Sequence, residues 1–172
     1  MSVDDLIIAR AGEIRLLVLD VDGVLTDGRL ILGPNGEEYK AFHVRDGHGL
    51  VMLRNDGVDV AIITGRKSTV VERRMAELGI VEVHQGIKDK AACLLDLLAR
   101  RSIAAANVCY VGDDVPDCAA MRLVGLPVAV ADASSEAAST AQLVTRRAGG
   151  NGAVREVCDL ILGAREGRMA VQ

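Results

Sequence analysis

Asp20 and Asp22 stand two residues apart, directly after the apolar run Leu16–Leu19 and just before Gly23. Two carboxylates at i and i+2 reach one pocket only if the backbone turns, and glycine permits a sharp turn there. Like charges so close repel unless a cation lies between them, and oxygen-only donors favour Mg²⁺. Three more groups of reactive side chains follow apolar runs. Thr64-Gly65-Arg66 offers a hydroxyl, a close backbone approach and a helix start that favours an anion. The segment Gly86 to Ala92, GIKDKAA, brings Lys88 and Lys90, either of which could neutralise a phosphate. Gly112 then opens onto Asp113, Asp114 and Asp117. Each group alone has a plainer explanation: an Asp-rich turn, a threonine helix cap, solvated lysines, a capping aspartate. A cap accounts for one carboxylate after Gly112, however, and not for three.

Something must bring these groups together. The apolar runs are Ile14–Leu19, Val58–Ile63, Val81–His84, Val108–Val111 and Pro127–Val130, with amphipathic segments near Gly47–Asn55, Ser68–Leu78, Lys88–Arg101 and Pro116–Leu123. Strand and helix in alternation predict an α/β fold, a Rossmann-like three-layer sandwich with a mainly parallel sheet. Right-handed crossovers place every strand C-terminus on one edge, which is where all four groups fall. The stretch 28–43 breaks the alternation. Its GPNGE turn lies between two short strand candidates and predicts a β-hairpin insertion.

With 172 residues, half of them hydrophobic and only 2% aromatic, the chain suits a single domain, 1–172, with an aliphatic core. The segment from about 163 to 172 reads as a mobile tail or one available to a partner. A net charge of −4 argues against nucleic-acid binding. The four cysteines and three histidines have no zinc spacing. Acidic residues near the N-terminus, and no apolar run of membrane-spanning length, point to a cytoplasmic protein without a membrane partner.

Taken in order, the four groups resemble the haloacid dehalogenase superfamily of phosphohydrolases. The resemblance implies Asp20 as nucleophile, forming an aspartyl-phosphate, and Asp22 as general acid and then base. It implies Thr64 and Lys90 on the phosphoryl oxygens, and Mg²⁺ held by Asp20, Asp113 and the Asp22 carbonyl with Asp114 or Asp117 behind. Neither the segment after Asp20 nor that between Thr64 and Lys90 has room for a cap domain.

DVDGVLTDG, NGEEYKAFHVRDGHG, ITGR, CYVGDDVPD, VAVADA and TRRAGGNGAVREVCDLIL narrow the likeness. Nearly the whole chain is similar to the 3-deoxy-D-manno-octulosonate 8-phosphate (KDO 8-phosphate) phosphatases of lipopolysaccharide precursor synthesis. That similarity implies a homotetramer in which hairpins form a barrel and neighbours help enclose each site. It also implies a sugar-acid pocket of Asp22, His43, Val44, Arg45, Asp46, Gly47, Arg66, Arg74 and Lys90. Val51 stands where many members carry Arg or Lys, which leaves nine-carbon sugar-acid 9-phosphates as alternative substrates. A non-catalytic assembly module is the other reading, but Asp20, Asp22, Thr64, Lys90 and Asp113 are all present, which favours the enzyme.

Overall fold

The computed structural model describes residues 3–169. Six strands form one parallel sheet: β1 (Leu16–Leu19), β4 (Asp59–Ile63), β5 (Glu82–His84), β6 (Val108–Gly112), β7 (Leu126–Ala129) and β8 (Leu143–Val144). The spatial order is β5-β4-β1-β6-β7-β8. The chain runs outward from β1 to β4 and β5, then returns to β1's other side for β6. The C-terminal ends of β1 and β6 therefore flank the topological switch point, where a crevice forms.

Alternation along the strands divides the core. Leu17, Leu19, Cys109 and Val111 face one layer, made of α1 (Val3–Gly12), α2 (Val44–Asn55), α3 (Thr69–Glu77) and α7 (Ala153–Met169). Leu16, Val18, Val108 and Tyr110 face the other, where α4 (Lys90–Arg101) and α5 (Val115–Met121) bring Leu94, Leu97, Ala120 and Met121. Both faces being covered explains the near-continuous apolar strands.

The hairpin is present, though each arm is only two residues: β2 (Ile31–Leu32) pairs antiparallel with β3 (Glu38–Tyr39). Gly36 takes φ +89° at its turn. Between β1 and β4 lie this hairpin and α2; between Thr64 and Lys90 lie α3 and β5. Helix α2 begins at Val44, three residues before the amphipathic stretch, because the His43 ring accepts from the Arg45 N–H and caps it. Four of these helices and strands are not assigned from the sequence: α1, α6 (Ser135–Thr140), β8 and α7. The segment from Gly163 continues α7 as far as Met169, and residues 170–172 lie outside those described. Among the described residues no helix is long and apolar enough to cross a membrane.

Candidate active site

A cleft of about 430 Å³ at the strand C-termini is lined by Asp20, Asp22, Thr64, Arg66, Lys90, Asp113 and Asp117, among others. Strand β1 delivers Asp20 at its end, and the Val21 N–H donates to Asp20 Oδ1 at 2.7 Å. Gly23 then turns the chain with φ +92°, and a Cβ there would lie 2.1 Å from Asp113 Oδ2. Glycine at 23 is thus required twice, by its backbone angle and by the carboxylate pressed against it.

Helix caps separate the plain readings from the chemical ones. Ser68, not Thr64, caps α3, so Thr64 is spared that role and sits 2% exposed beside the cleft. Asp114 caps α5 in a capping box with Asp117. Capping therefore explains the exposed Asp114 and leaves Asp113 facing the cleft.

Lys90 lies at the first turn of α4 with its side chain 3% exposed. Its ammonium is 2.8 Å from Asp20 Oδ2 and 2.7 Å from Asp117 Oδ1. Burial by itself would lower this ammonium's pKa; the Asp20 and Asp117 carboxylates outweigh burial and raise it. Burial first, and Asp117 second, raise Asp20, against the pull of Lys90 and the Val21 N–H. Asp113 is pushed up to about 7 by burial, then by Asp117 and Asp20.

Asp117 is the hub of the site. It accepts from Lys90 and from the Tyr110 hydroxyl (2.9 Å) on Oδ1, and from the backbone N–H groups of Asp113 (3.1 Å) and Asp114 (3.4 Å) on Oδ2. A carboxylate with both oxygens so engaged orients its neighbours. Carboxylate oxygens of Asp20, Asp113 and Asp117 lie within 4.8 Å of one another, a hard-oxygen set suited to a divalent cation.

The sugar-acid residues divide. Asp22, Arg66 and Lys90 line the cleft, and Lys88 joins them. The others gather around the start of α2. His43 caps that helix and Val44 is 78% exposed. Asp46 is buried and its Oδ1 accepts from the Arg155 N–H at 2.8 Å, so it caps α7, while among the described residues Oδ2 has no hydrogen-bond partner. Gly47 gives room to Arg74, whose Nη2 would be 2.4 Å from a Cβ at 47. Arg45 lines a separate groove with Arg146, Arg147 and Arg155. Within one chain, then, positions 43–47 and Arg74 do not line the catalytic cleft. Val51 packs against the hydrophobic core. Sequence reasoning missed Lys40 and Tyr110. Tyr110 occupies an apolar strand position whose buried hydroxyl was the available hint, since buried phenols need partners.

Known proteins resemble this chain over most of its length. Positions 76–157 match the haloacid dehalogenase-like hydrolase family. The chain is 56% identical over 156 residues to the KDO 8-phosphate phosphatase of Escherichia coli strain K12, covering 91% of this chain and 83% of that protein. The crystal structure of the Yersinia pestis KDO 8-phosphate phosphatase is 51% identical, with a TM-score of 0.93 over 94% of this chain and 88% of that one. The Moraxella catarrhalis KDO 8-phosphate phosphatase, solved with magnesium, phosphate and KDO, is 42% identical, with a TM-score of 0.91 over 96% and 97% of the two chains.

Proposed function

The chain belongs to the KDO 8-phosphate phosphatase family of haloacid dehalogenase-like hydrolases, and from that membership we propose how its residues carry the reaction. The enzyme hydrolyses the phosphomonoester of KDO 8-phosphate to KDO and phosphate, a step toward lipopolysaccharide precursors. The observation that carries this reading is the Asp20–Lys90–Asp117 triad at the switch point, with Asp113 and Thr64 beside it.

Asp20 attacks phosphorus through a carboxylate oxygen, and the bond from phosphorus to the sugar oxygen breaks. Asp22 gives its proton to that leaving alkoxide. Water then attacks the aspartyl-phosphate while Asp22 takes a proton from it. Phosphate leaves and both carboxyl groups return to their starting states. Lys90 and the Thr64 hydroxyl hold the phosphoryl oxygens during both steps. Asp20, Asp113 and the Asp22 carbonyl would hold Mg²⁺, with Asp117 fixing Asp113 and the exposed Asp114 playing a lesser part. Mg²⁺, when bound, supplies positive charge for the carboxylate cluster and for the phosphoryl group.

Phosphate release should be measured on KDO 8-phosphate, two nine-carbon sugar-acid 9-phosphates and simple sugar phosphates. We expect preference for KDO 8-phosphate, abolished by EDTA and restored by Mg²⁺. Preference for a nine-carbon acid would move the substrate, and full turnover after metal removal would refute the metal's role. Because Val51 packs inward, its departure from the family pattern should not redirect specificity.

The hairpin exposes Leu30, Ile31, Leu32 and Tyr39, each at least half exposed, an apolar patch suited to burial against other copies. This supports association of copies through their hairpins, in the homotetramer that the family resemblance implies, with neighbours helping to enclose each site. Sedimentation velocity should give the tetramer mass, and Leu32→Glu should shift it downward. A fully active monomer would contradict the shared-site arrangement. The setting proposed is cytoplasmic, in keeping with four free cysteines.

A further inference from the structure

One buried charge has no part in the mechanism above. Lys40 leaves β3 at the base of the hairpin, yet its side chain is 1% exposed. Its ammonium donates to Asp22 Oδ1 and lies 3.4 Å from Glu38 Oε1. Arg66 approaches from β4's side, with Nε 3.7 Å from Asp22 Oδ2 and Nη2 3.4 Å from Glu38 Oε1. The Ser68 hydroxyl, opposed by burial and aided by Lys40 and Arg66, holds the Glu38 carboxyl below its ordinary range. Glu38 is therefore an ionised anchor at neutral pH, and the cluster Asp22–Lys40–Glu38–Arg66 ties the hairpin base to the catalytic loop.

A lysine serving only to pin the hairpin could do so at the surface, with its ammonium hydrated. Burying it costs solvation and side-chain freedom, which must be offset by pairing. Its hydrogen bond falls on Asp22 Oδ1, with Glu38 Oε1 farther off at 3.4 Å. Among the described residues Asp22 Oδ2 receives no hydrogen bond, since Arg66 stands too far away for one. We propose that Lys40 is a positioning residue which fixes the Asp22 carboxyl by holding Oδ1 and so presents Oδ2 to the leaving oxygen. The inference rests on the general acid reading of Asp22.

The test compares two leaving groups. A sugar alkoxide must be protonated as it departs, whereas p-nitrophenolate leaves without help. For Lys40→Met, kcat on KDO 8-phosphate should fall roughly 10- to 100-fold, part of the 10²–10⁴ that a positioned acid supplies. The KM on KDO 8-phosphate, and the single-turnover rate of p-nitrophenolate release, should stay within about threefold, because binding and nucleophilic attack are untouched and Asp22 acts on water only in the later step. Lys40→Arg should restore part of the loss. Lys40→Gln, too short to span Asp22 and Glu38, should repeat the selective loss if the methionine variant fails to fold. A loss in single-turnover p-nitrophenolate release equal to the loss on KDO 8-phosphate, or a change confined to KM, would overturn the proposal. Asp22→Asn separates the two ideas. If it shows the leaving-group selectivity and the Lys40 variants do not, positioning by Lys40 fails alone; if Asp22→Asn lacks it, the acid reading fails and takes the proposal with it.

Discussion

Asp20→Asn should abolish turnover while leaving the metal-free protein at least as stable as the parent. The amide cannot form the aspartyl-phosphate, and loss of a nucleophile of this kind costs roughly 10⁴–10⁶ in kcat. Stability has the opposite sign. Burial and the nearby Asp117 raise Asp20 above the ordinary carboxylate value. For an acid so shifted, the folded state holds its proton more tightly than the unfolded chain. That contribution is full below the ordinary range and lost as pH rises through the folded value. Near pH 7.5 the ionised Asp20 therefore burdens the fold, and an amide of the same shape relieves it. Lys90 keeps Asp117 as its partner. Thermal melts in EDTA should show an unchanged or slightly higher Tm at pH 7.5. About 1 kcal/mol would appear as about 2–4 °C in a chain of this size. The gap should close as the pH is lowered through the carboxylate range. Retention of more than a tenth of parental turnover would remove Asp20 from the nucleophile's place, and a large fall in Tm would show that its charge stabilises the fold.

The residues for which this matters were legible in the sequence because strands announce themselves. Asp20, Thr64 and Asp113 each end an apolar run, and a parallel sheet necessarily collects such ends on one edge. Helix caps were legible less well. Thr64 and Ser68 both suit an N-cap, and only the observed start of α3 at Thr69 assigns the task to Ser68. Positions 43–47 were legible only through the family resemblance, and within one chain their visible task is capping: His43 caps α2 and Asp46 caps α7, a helix more than a hundred residues distant in sequence. That helix itself carried a signal that was passed over, with Val154, Val157, Cys158 and Ile161 buried at helical spacing. Lys40 had none. A lysine after a hairpin is ordinarily solvated, and only the folding of the hairpin base over Asp22 buries it.

The site thus carries two kinds of charge burial, in which a carboxylate is a burden and the lysine between carboxylates is a necessity. Lys90→Met makes the second visible. The side chain is 3% exposed, so methionine fills most of its volume and the packing change is small. What disappears is the cation 2.8 Å from Asp20 and 2.7 Å from Asp117. Removing one member of a buried ion cluster typically costs about 3–5 kcal/mol, because the remaining charges stay buried and now repel. The melting temperature should fall by roughly 6 °C or more at pH 7.5, on the scale of 2–4 °C per kcal/mol. Lowering the pH lets Asp20 take up a proton and should recover part of the loss, the reverse of the trend for Asp20→Asn. Turnover should drop by roughly 10²–10³, as when one fixed donor to a developing oxyanion is removed. In Asp20→Asn/Lys90→Met the melting temperature should rise above that of Lys90→Met by more than Asp20→Asn raises the parent, since one of the two stranded carboxylates is gone. A rise no larger than the one Asp20→Asn gives in the parent would mean that Lys90 and Asp20 do not share one electrostatic unit, and the triad would have to be dismantled as an explanation of the site.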